Sequence, residues 1–196
     1  MANFEKVRAN LEARGFHVSC FATAAEAVDY LDAKLDGKTV AHGGSMTVKE
    51  LGLLERLASH AKVVSHWAGD SFEAAAAAPV YLSSVNGLAE TGEIINIDGN
   101  CNRVASTVFG HEEIYFLVGR NKLAPDYDSA LWRARNIAAP KNAQRLGRKT
   151  PCAVRADKCY DCSSPERICR ALTVLWGPPK LVGWTEVVLI DADLGL

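Results

Sequence analysis

"EIYFLVG", residues 113–119, is the stretch on which the fold turns. Between Glu113 and Gly119 it offers no polar face to water. A strand apolar on both sides belongs in the interior of a sheet covered by helices above and below, which is the habit of parallel sheets. "EVVLI" (186–190) has the same character. Working outward, shorter apolar runs alternate with helical periodicity. Phe4, Val7 and Leu11 share a helix face that the Gly15 break ends, and "FHVSCF" (16–21) reads as a strand. Thr23 and Glu26 have capping-box spacing and open a helix carrying Val28, Leu31 and Leu35. "KTVAH" (38–42) is a short strand, after which Thr47 and Glu50 repeat the capping spacing ahead of Leu51, Leu54 and Leu57. "AKVVS" (61–65), "VYLSSV" (80–85), "EIINI" (93–97) and "LTVLW" (172–176) are further strands. "DSFEAAAAA" (70–78) is a short helix stopped by Pro79, and residues 127–146 are helical with a break near Pro140. Short strands alternating with capped helices predict an α/β fold with a mostly parallel sheet.

The chain has 196 residues, 48% of them hydrophobic and 23% charged, with a net charge of −1. That length supports one domain with a proper core. A charge so near zero argues against nucleic acid as a partner, because that surface demands a positive field. No apolar run approaches the roughly 18 residues of a membrane span. The opening residues are polar and helical in period, without a signal-peptide core, so the expected location is the cytoplasm. Residues 147–170 form the one long stretch without periodicity, which divides the chain into a core over 1–146, an inserted segment over 147–170 and last strands over 171–196.

Three loops carry residues suited to an anionic ligand. In "HGGSMT", His42, Gly43, Gly44, Ser45 and Thr47 lie where a strand gives way to a helix, so glycines let backbone approach a ligand and hydroxyls add donors. From Asn86 to Arg103 runs the densest polar stretch in the chain. Turn chemistry explains part of it. A plain hairpin does not require Glu90, Asn96, Asn102 and Arg103 together; Arg103 and Asn102 suit an anion, and Glu90 suits a general base or nucleophile. Arg120, Asn121 and Lys122, at the end of the apolar strand, have residue types suited to phosphate contact, or to a plain surface turn.

Cys152, Cys159, Cys162 and Cys169 give the pattern C-x6-C-x2-C-x6-C. A close pair with two flanking thiols suits an iron–sulfur cluster of the 4Fe–4S type or a structural four-cysteine zinc site; buried free thiols are the alternative to both. Cys20 reads as a core thiol and Cys101 as a turn residue.

"HGGSMT", "NGLAETGEIINIDGN" followed by "NR", "VGRNK", "RNIAAPKNAQRL", "KTPC…CYDCSSPERIC" and "ADLGL" occur in this order along the whole chain. Together they resemble the LUD (lactate-utilisation) domain family. The resemblance implies a three-layer α/β fold related to ribose-5-phosphate isomerase, glucosamine-6-phosphate deaminase (NagB) and CoA transferases. It implies an association with systems that oxidise L-lactate or a similar small organic acid, alongside partner subunits carrying iron–sulfur centres. By placement it points to Glu90 and Asp98 as catalytic carboxylates, with Gly87, Thr91, Gly92 and Gly99 around them. A homo-oligomer is a further expectation, since related folds often assemble.

Two readings follow. In one, a small anionic metabolite or nucleotide binds in the loops and a cluster on the four cysteines passes electrons to a partner. In the other, the protein is a non-redox enzyme acting on acyl or phosphate ligands, or a ligand-binding regulator, with zinc as a clasp.

Overall fold

The computed structural model describes residues 4–196. Its centre is a six-stranded sheet in which every neighbouring pair is parallel. The strands are β1 (His17–Phe21), β2 (Thr39–His42), β3 (Lys62–Val64), β4 (Val80–Ser83), β7 (Glu113–Gly119) and β10 (Trp184–Ile190), in the order β1-β10-β7-β4-β2-β3. The stretch that opened the sequence analysis is therefore an interior strand. Glu113 pairs with Trp184 on one side and with Val80 on the other.

Alternation along these strands builds two cores, one on each face. Ile114, Phe116 and Val118 of β7 and Val187 and Leu189 of β10 face one layer, formed by α1 (Phe4–Ala13) and α5 (Phe72–Ala76). Tyr115 and Leu117, with Val188 and Ile190, face the other, formed by α2 (Ala24–Lys34), α3 (Met46–Glu50) and α4 (Leu53–Leu57). Helix, sheet, helix is the three-layer α/β architecture expected. Truncating one of the fully buried side chains, such as Leu117, costs roughly 2–5 kcal/mol.

A second sheet sits beyond the carboxyl ends of the parallel strands. It contains β8 (Leu123–Ala124), β5 (Gly87–Ala89), β6 (Ile94–Asp98) and β9 (Ala171–Leu175) in that order, with β6 antiparallel to both neighbours. The stretch read as a polar loop thus contains a strand of its own. Gly87 is required there by packing: a Cβ would stand 2.4 Å from the Ala130 carbonyl oxygen of α7 (Tyr127–Arg133). The remaining helices are α6 (Asn102–Ser106), α8 (Ala139–Arg145) and α9 (Pro151–Arg155). Between α7 and α8 the expected break is a wide π turn, Ala134–Ala138, placed just ahead of Pro140, whose ring nitrogen cannot donate.

The Thr23–Glu26 capping box is present, with both reciprocal hydrogen bonds. The second expected box is not. Ser45 is the N-cap of α3, accepting from the Val48 amide at 3.3 Å, and α3 ends at Gly52, whose φ of 65° continues no helix. Thr47 and Glu50 are released for another purpose. Thr47 Oγ1 donates to the Leu194 carbonyl at 3.3 Å, and the Glu50 carboxylate accepts from the Gly195 amide at 2.6 Å. Among the described residues no helix is long and apolar enough to cross a membrane.

Candidate functional site

A cavity of about 280 Å³ opens where the carboxyl ends of β2 and β4 meet the second sheet and α8. That edge is where open α/β sheets bind ligands. It gathers residues from all three loops singled out in the sequence: Gly44, Ser45 and Thr47; Asn86, Asp98, Gly99, Asn102 and Arg103; and Lys122.

What these residues do there differs from the sequence expectation in several cases. Arg103 is 9% exposed, and its guanidinium is largely occupied. One Nη donates to Asn96 Oδ1 at 2.5 Å and to the Ser84 carbonyl at 3.4 Å; the other donates to Asn86 Oδ1 at 3.1 Å and the Ile97 carbonyl at 2.7 Å. Its stem crosses Gly43 so closely that a Cβ there would lie 2.7 Å from Arg103 Cγ. Arg103 therefore ties the loops together more than it offers itself to an anion. Asp98 is occupied in the same way. Its carboxylate accepts from the amides of Gly99 at 2.7 Å, Arg103 at 3.0 Å and Val104 at 3.1 Å, which fixes the start of α6.

His42 is fully buried behind the cavity wall. Its Nδ1 lies 2.9 Å from the Gly43 carbonyl oxygen and so carries the proton, leaving Nε2 to accept from Ser65 Oγ at 2.7 Å. Burial holds its pKa below the usual histidine value, so the ring is neutral. Neither His42 nor Ser65 borders the cavity.

Several expected site residues lie elsewhere. Glu90 pairs with Lys6 at 2.9 Å, and Gly92 packs on the Arg14 side chain; both belong to the turn between β5 and β6. Thr91 shares that turn, its hydroxyl bonded to Glu93. Arg120 pairs with Asp193 at 2.9 Å and Asp191 at 3.3 Å. Asn121 bonds the main chain of Leu194 through both side-chain atoms, at 3.1 and 3.3 Å. Thr91 is tied up locally, and the reason is common to the other four. Each finds its partner in a segment far away in sequence, which periodicity does not register.

The cavity also takes residues that the sequence reading passed over. Arg145 and Arg148 come from α8 and the residues just after it, and among the described residues neither forms an ion pair. Opposite in chemistry are His66, Trp67 and Phe72, a contiguous group with ring centroids 5.4–5.6 Å apart along His66–Phe72 and His66–Trp67. Trp67 and Phe72 are nearly half exposed. Two buried polar atoms of lining residues, Ser84 Oγ and His66 Nδ1, have no partner among the described residues. An unmade buried hydrogen bond costs about 1–3 kcal/mol, which a bound polar group would recover. Two cavity-facing arginines on a helix end are visible in "NAQRLGR" only once α8 is known to turn toward the cavity.

Lys122 stands out electrostatically. It is 3% exposed, and its one hydrogen bond is from Nζ to the main-chain oxygen of Leu196. Burial pushes its pKa down to about 7, helped by Arg133, Lys141 and Arg103 and opposed by Glu50.

The cysteine segment meets the cavity through Ile168, but its thiols do not converge. Among the described residues no three histidine, cysteine, aspartate or glutamate side chains gather as metal ligands. Cys152 Sγ contacts Thr150 Oγ1 at 3.3 Å, Cys159 Sγ accepts from the Asp161 amide at 3.4 Å, and Cys169 Sγ accepts from Arg167 Nε at 3.1 Å. Cys162 and Cys101 are likewise free thiols, and Cys20, expected in the core, is an exposed free thiol on the edge strand β1. As placed, the four thiols of the pattern fit neither the expected cluster nor a tetrahedral zinc site. Their neighbours are guanidinium, hydroxyl and main-chain groups.

A second hollow of about 340 Å³ lies at the opposite edge, around Glu186. It is larger, but its key polar group is satisfied. The Glu186 carboxylate accepts from Ser19 at 2.6 Å, Tyr30 at 2.8 Å, Lys34 at 2.7 Å and Trp184 at 2.8 Å. Desolvation works against its charge, but those donors more than offset it and hold its pKa below the usual glutamate value. Lys34 Nζ in turn sits 4.3 Å from the Trp184 ring centroid. This is a closed structural network, and the cationic cavity is the better candidate.

Comparisons with known proteins agree with the architecture. No curated protein matches the chain. Among solved structures, a DUF162 family protein from Deinococcus radiodurans is similar over 95% of each chain, with a TM-score of 0.57 at 13% identity, a likeness of fold alone. The LUD domain model matches residues 4–182, and the chain belongs to the LUD domain family.

Proposed function

We propose that the cavity binds a small organic anion, of the size of a 2-hydroxy or 2-oxo acid. The observation that carries this is the pair Arg145 and Arg148, two cavity-lining guanidiniums with no carboxylate partner among the described residues. Guanidinium holds a carboxylate through two parallel hydrogen bonds. Arg145 also donates to Asn142 Oδ1 at 3.1 and 2.8 Å, a neutral acceptor that a carboxylate can replace. The volume sets the size. About 280 Å³ lies just under the range for ligand pockets, roughly 300–1,000 Å³, which suits a small acid better than a nucleotide. The apolar wall of Trp67 and Phe72 excludes water from the ligand's other end. The family as a whole is linked to lactate utilisation, which is consistent with that ligand class.

This reading rests on the cavity alone and needs no electron transfer through the cysteine segment. The test is titration calorimetry with L-lactate and pyruvate. Arg145→Ala combined with Arg148→Ala should weaken binding at least tenfold while leaving the unfolding midpoint within a degree or so. Undiminished binding in that variant removes the site.

A further inference from the structure

We infer that the acid held in the cavity carries an aromatic ring, as a 3-aryl-2-hydroxy or 3-aryl-2-oxo acid does, and that this ring lies on the wall of His66, Trp67 and Phe72. The inference rests on the anion-site reading above and names the other end of its ligand. The three rings line the same cavity as Arg145 and Arg148. His66 links the other two, its ring centroid 5.6 Å from that of Trp67 and 5.4 Å from that of Phe72. Trp67 is 45% exposed and Phe72 46%, although both border a concave site.

The wall is held in place from behind and from below. The buried ring of His42 meets Trp67 edge-on at 5.0 Å and lies 5.7 Å from His66. His42 is itself fixed between the Gly43 carbonyl and the Ser65 hydroxyl. The loop that follows Ser65 closes on itself. The Ser65 carbonyl accepts from the amides of Ala68 at 2.9 Å and Asp70 at 3.2 Å, and the Asp70 carboxylate accepts from the Ser65 amide at 2.8 Å. Ser71 Oγ then caps α5 by accepting from the Ala74 amide at 3.1 Å, which sets Phe72 at the first helical position. At Gly44 a Cβ would stand 3.9 Å from both His66 Nε2 and Trp67 Cζ2, so the loop between β2 and α3 puts no side chain over the rings at that point.

Rings already fixed in position take up a further ring without an added ordering cost. Aromatic pairs, offset or edge to face, gain more than their buried area alone supplies. Single exposed aromatics scattered over a surface need no such partner. Here three rings in contact share a cavity with two guanidiniums that have no carboxylate partner among the described residues. A ligand with a carboxylate at one end and a ring at the other matches both. Lactate and pyruvate offer that wall only a methyl group.

The experiment is calorimetry on the full chain with L-lactate and L-3-phenyllactate, which share the carboxylate and hydroxyl and differ by one phenyl group. Phenyllactate should bind about tenfold more tightly or better, the lower end of what burying a phenyl ring supplies. In Phe72→Ala, and separately in Trp67→Ala, that ratio should fall below about threefold as the ring loses its contact surface. Each variant's unfolding midpoint is measured alongside, and either one alone decides the matter if the other fails to fold. 2-Hydroxy-4-methylpentanoate, apolar but without a ring, should fall between the two acids. Equal affinity for lactate and phenyllactate overturns the inference and leaves the anion site standing. Parity of the methylpentanoate with phenyllactate, or a ratio that the folded variants preserve, overturns it in the same way. Binding of none of the three acids removes both the ring subsite and the anion site.

Discussion

The most informative single perturbation is Lys122→Met read as a function of pH. A lysine ordinarily titrates near 10.5, and burial among cations brings this one down to about 7. At about 1.36 kcal/mol for each tenfold change in proton affinity, a drop of that size corresponds to a charge-burial penalty on the order of 4–5 kcal/mol. The sign follows from proton linkage. Below pH 7 both folded and unfolded chains carry the proton, so the folded protein bears the whole penalty. Between about 7 and 10.5 the unfolded chain binds more protons than the folded one, stability rises with pH, and the penalty disappears. Methionine keeps the length and removes the charge. The variant should therefore be more stable than wild type at pH 6, with a margin that narrows by about 2–4 kcal/mol at pH 10, relaxation of the site absorbing the rest. The assay is urea denaturation of both proteins across that range, compared pairwise so that tyrosines and thiols common to both cancel. A margin that stays constant from pH 6 to 10 would refute the argument, because Lys122 would then carry no buried charge.

Other outcomes are equally specific. Arg103→Met should cost about 3 kcal/mol or more of stability, because four acceptors, two in the β4–β5 connection and two on β6, lose a charged donor at once; a loss under 1 kcal/mol in the same denaturation assay would show that these segments hold without it. Gly87→Ala should cost roughly 1–3 kcal/mol through its clash with the Ala130 carbonyl, with a melting point well below wild type; an unchanged melting point would mean β5 and α7 can separate freely. In protein stripped of metal by a chelator, Cys152, Cys159, Cys162 and Cys169 should react with iodoacetamide independently, each Cys→Ser change altering the other three rates by less than about twofold. Joint protection in untreated protein, lost together when Cys159 alone becomes serine, would show that the thiols converge.

The architecture was largely readable from side-chain alternation because burial on two faces leaves a local signature. β7 and β10 carry it in consecutive residues, and Thr23 and Glu26 carry their cap in four. The site was readable only in part, since its logic is long-range. Thr47 looks like a cap by spacing, but the Ser45 hydroxyl is nearer the helix start, and Thr47 is held by Leu194, almost 150 positions away in sequence. Glu90 looks available until Lys6 is brought beside it. Arg103 and Asp98 line the cavity, yet sequence offers no way to see that neighbouring amides and carbonyls already occupy them. Lys122 lies at the same edge, but its burial is a property of the assembled site. The cysteine pattern is local in sequence, but whether four thiols share a ligand depends on how residues 147–170 are arranged in space, which spacing does not specify.

The strand order has a consequence for how the molecule is made. β10 is the last strand in the chain, yet it lies between β1 and β7, hydrogen-bonded to both. A ribosome that has released everything up to residue 183 has delivered five strands of the main sheet and left a gap in its interior. β1 then has no partner, β7 shows an open ladder of amides and carbonyls, and the apolar surfaces of α1 and α2 lack the Val187–Ile190 side chains that cover them. The nascent chain must stay clear of its neighbours with two open edges until the final strand emerges and closes the sheet like a keystone. Chaperone demand should therefore be concentrated late in synthesis, and a chain truncated before Trp184 should aggregate where the chain that includes β10 forms the folded sheet.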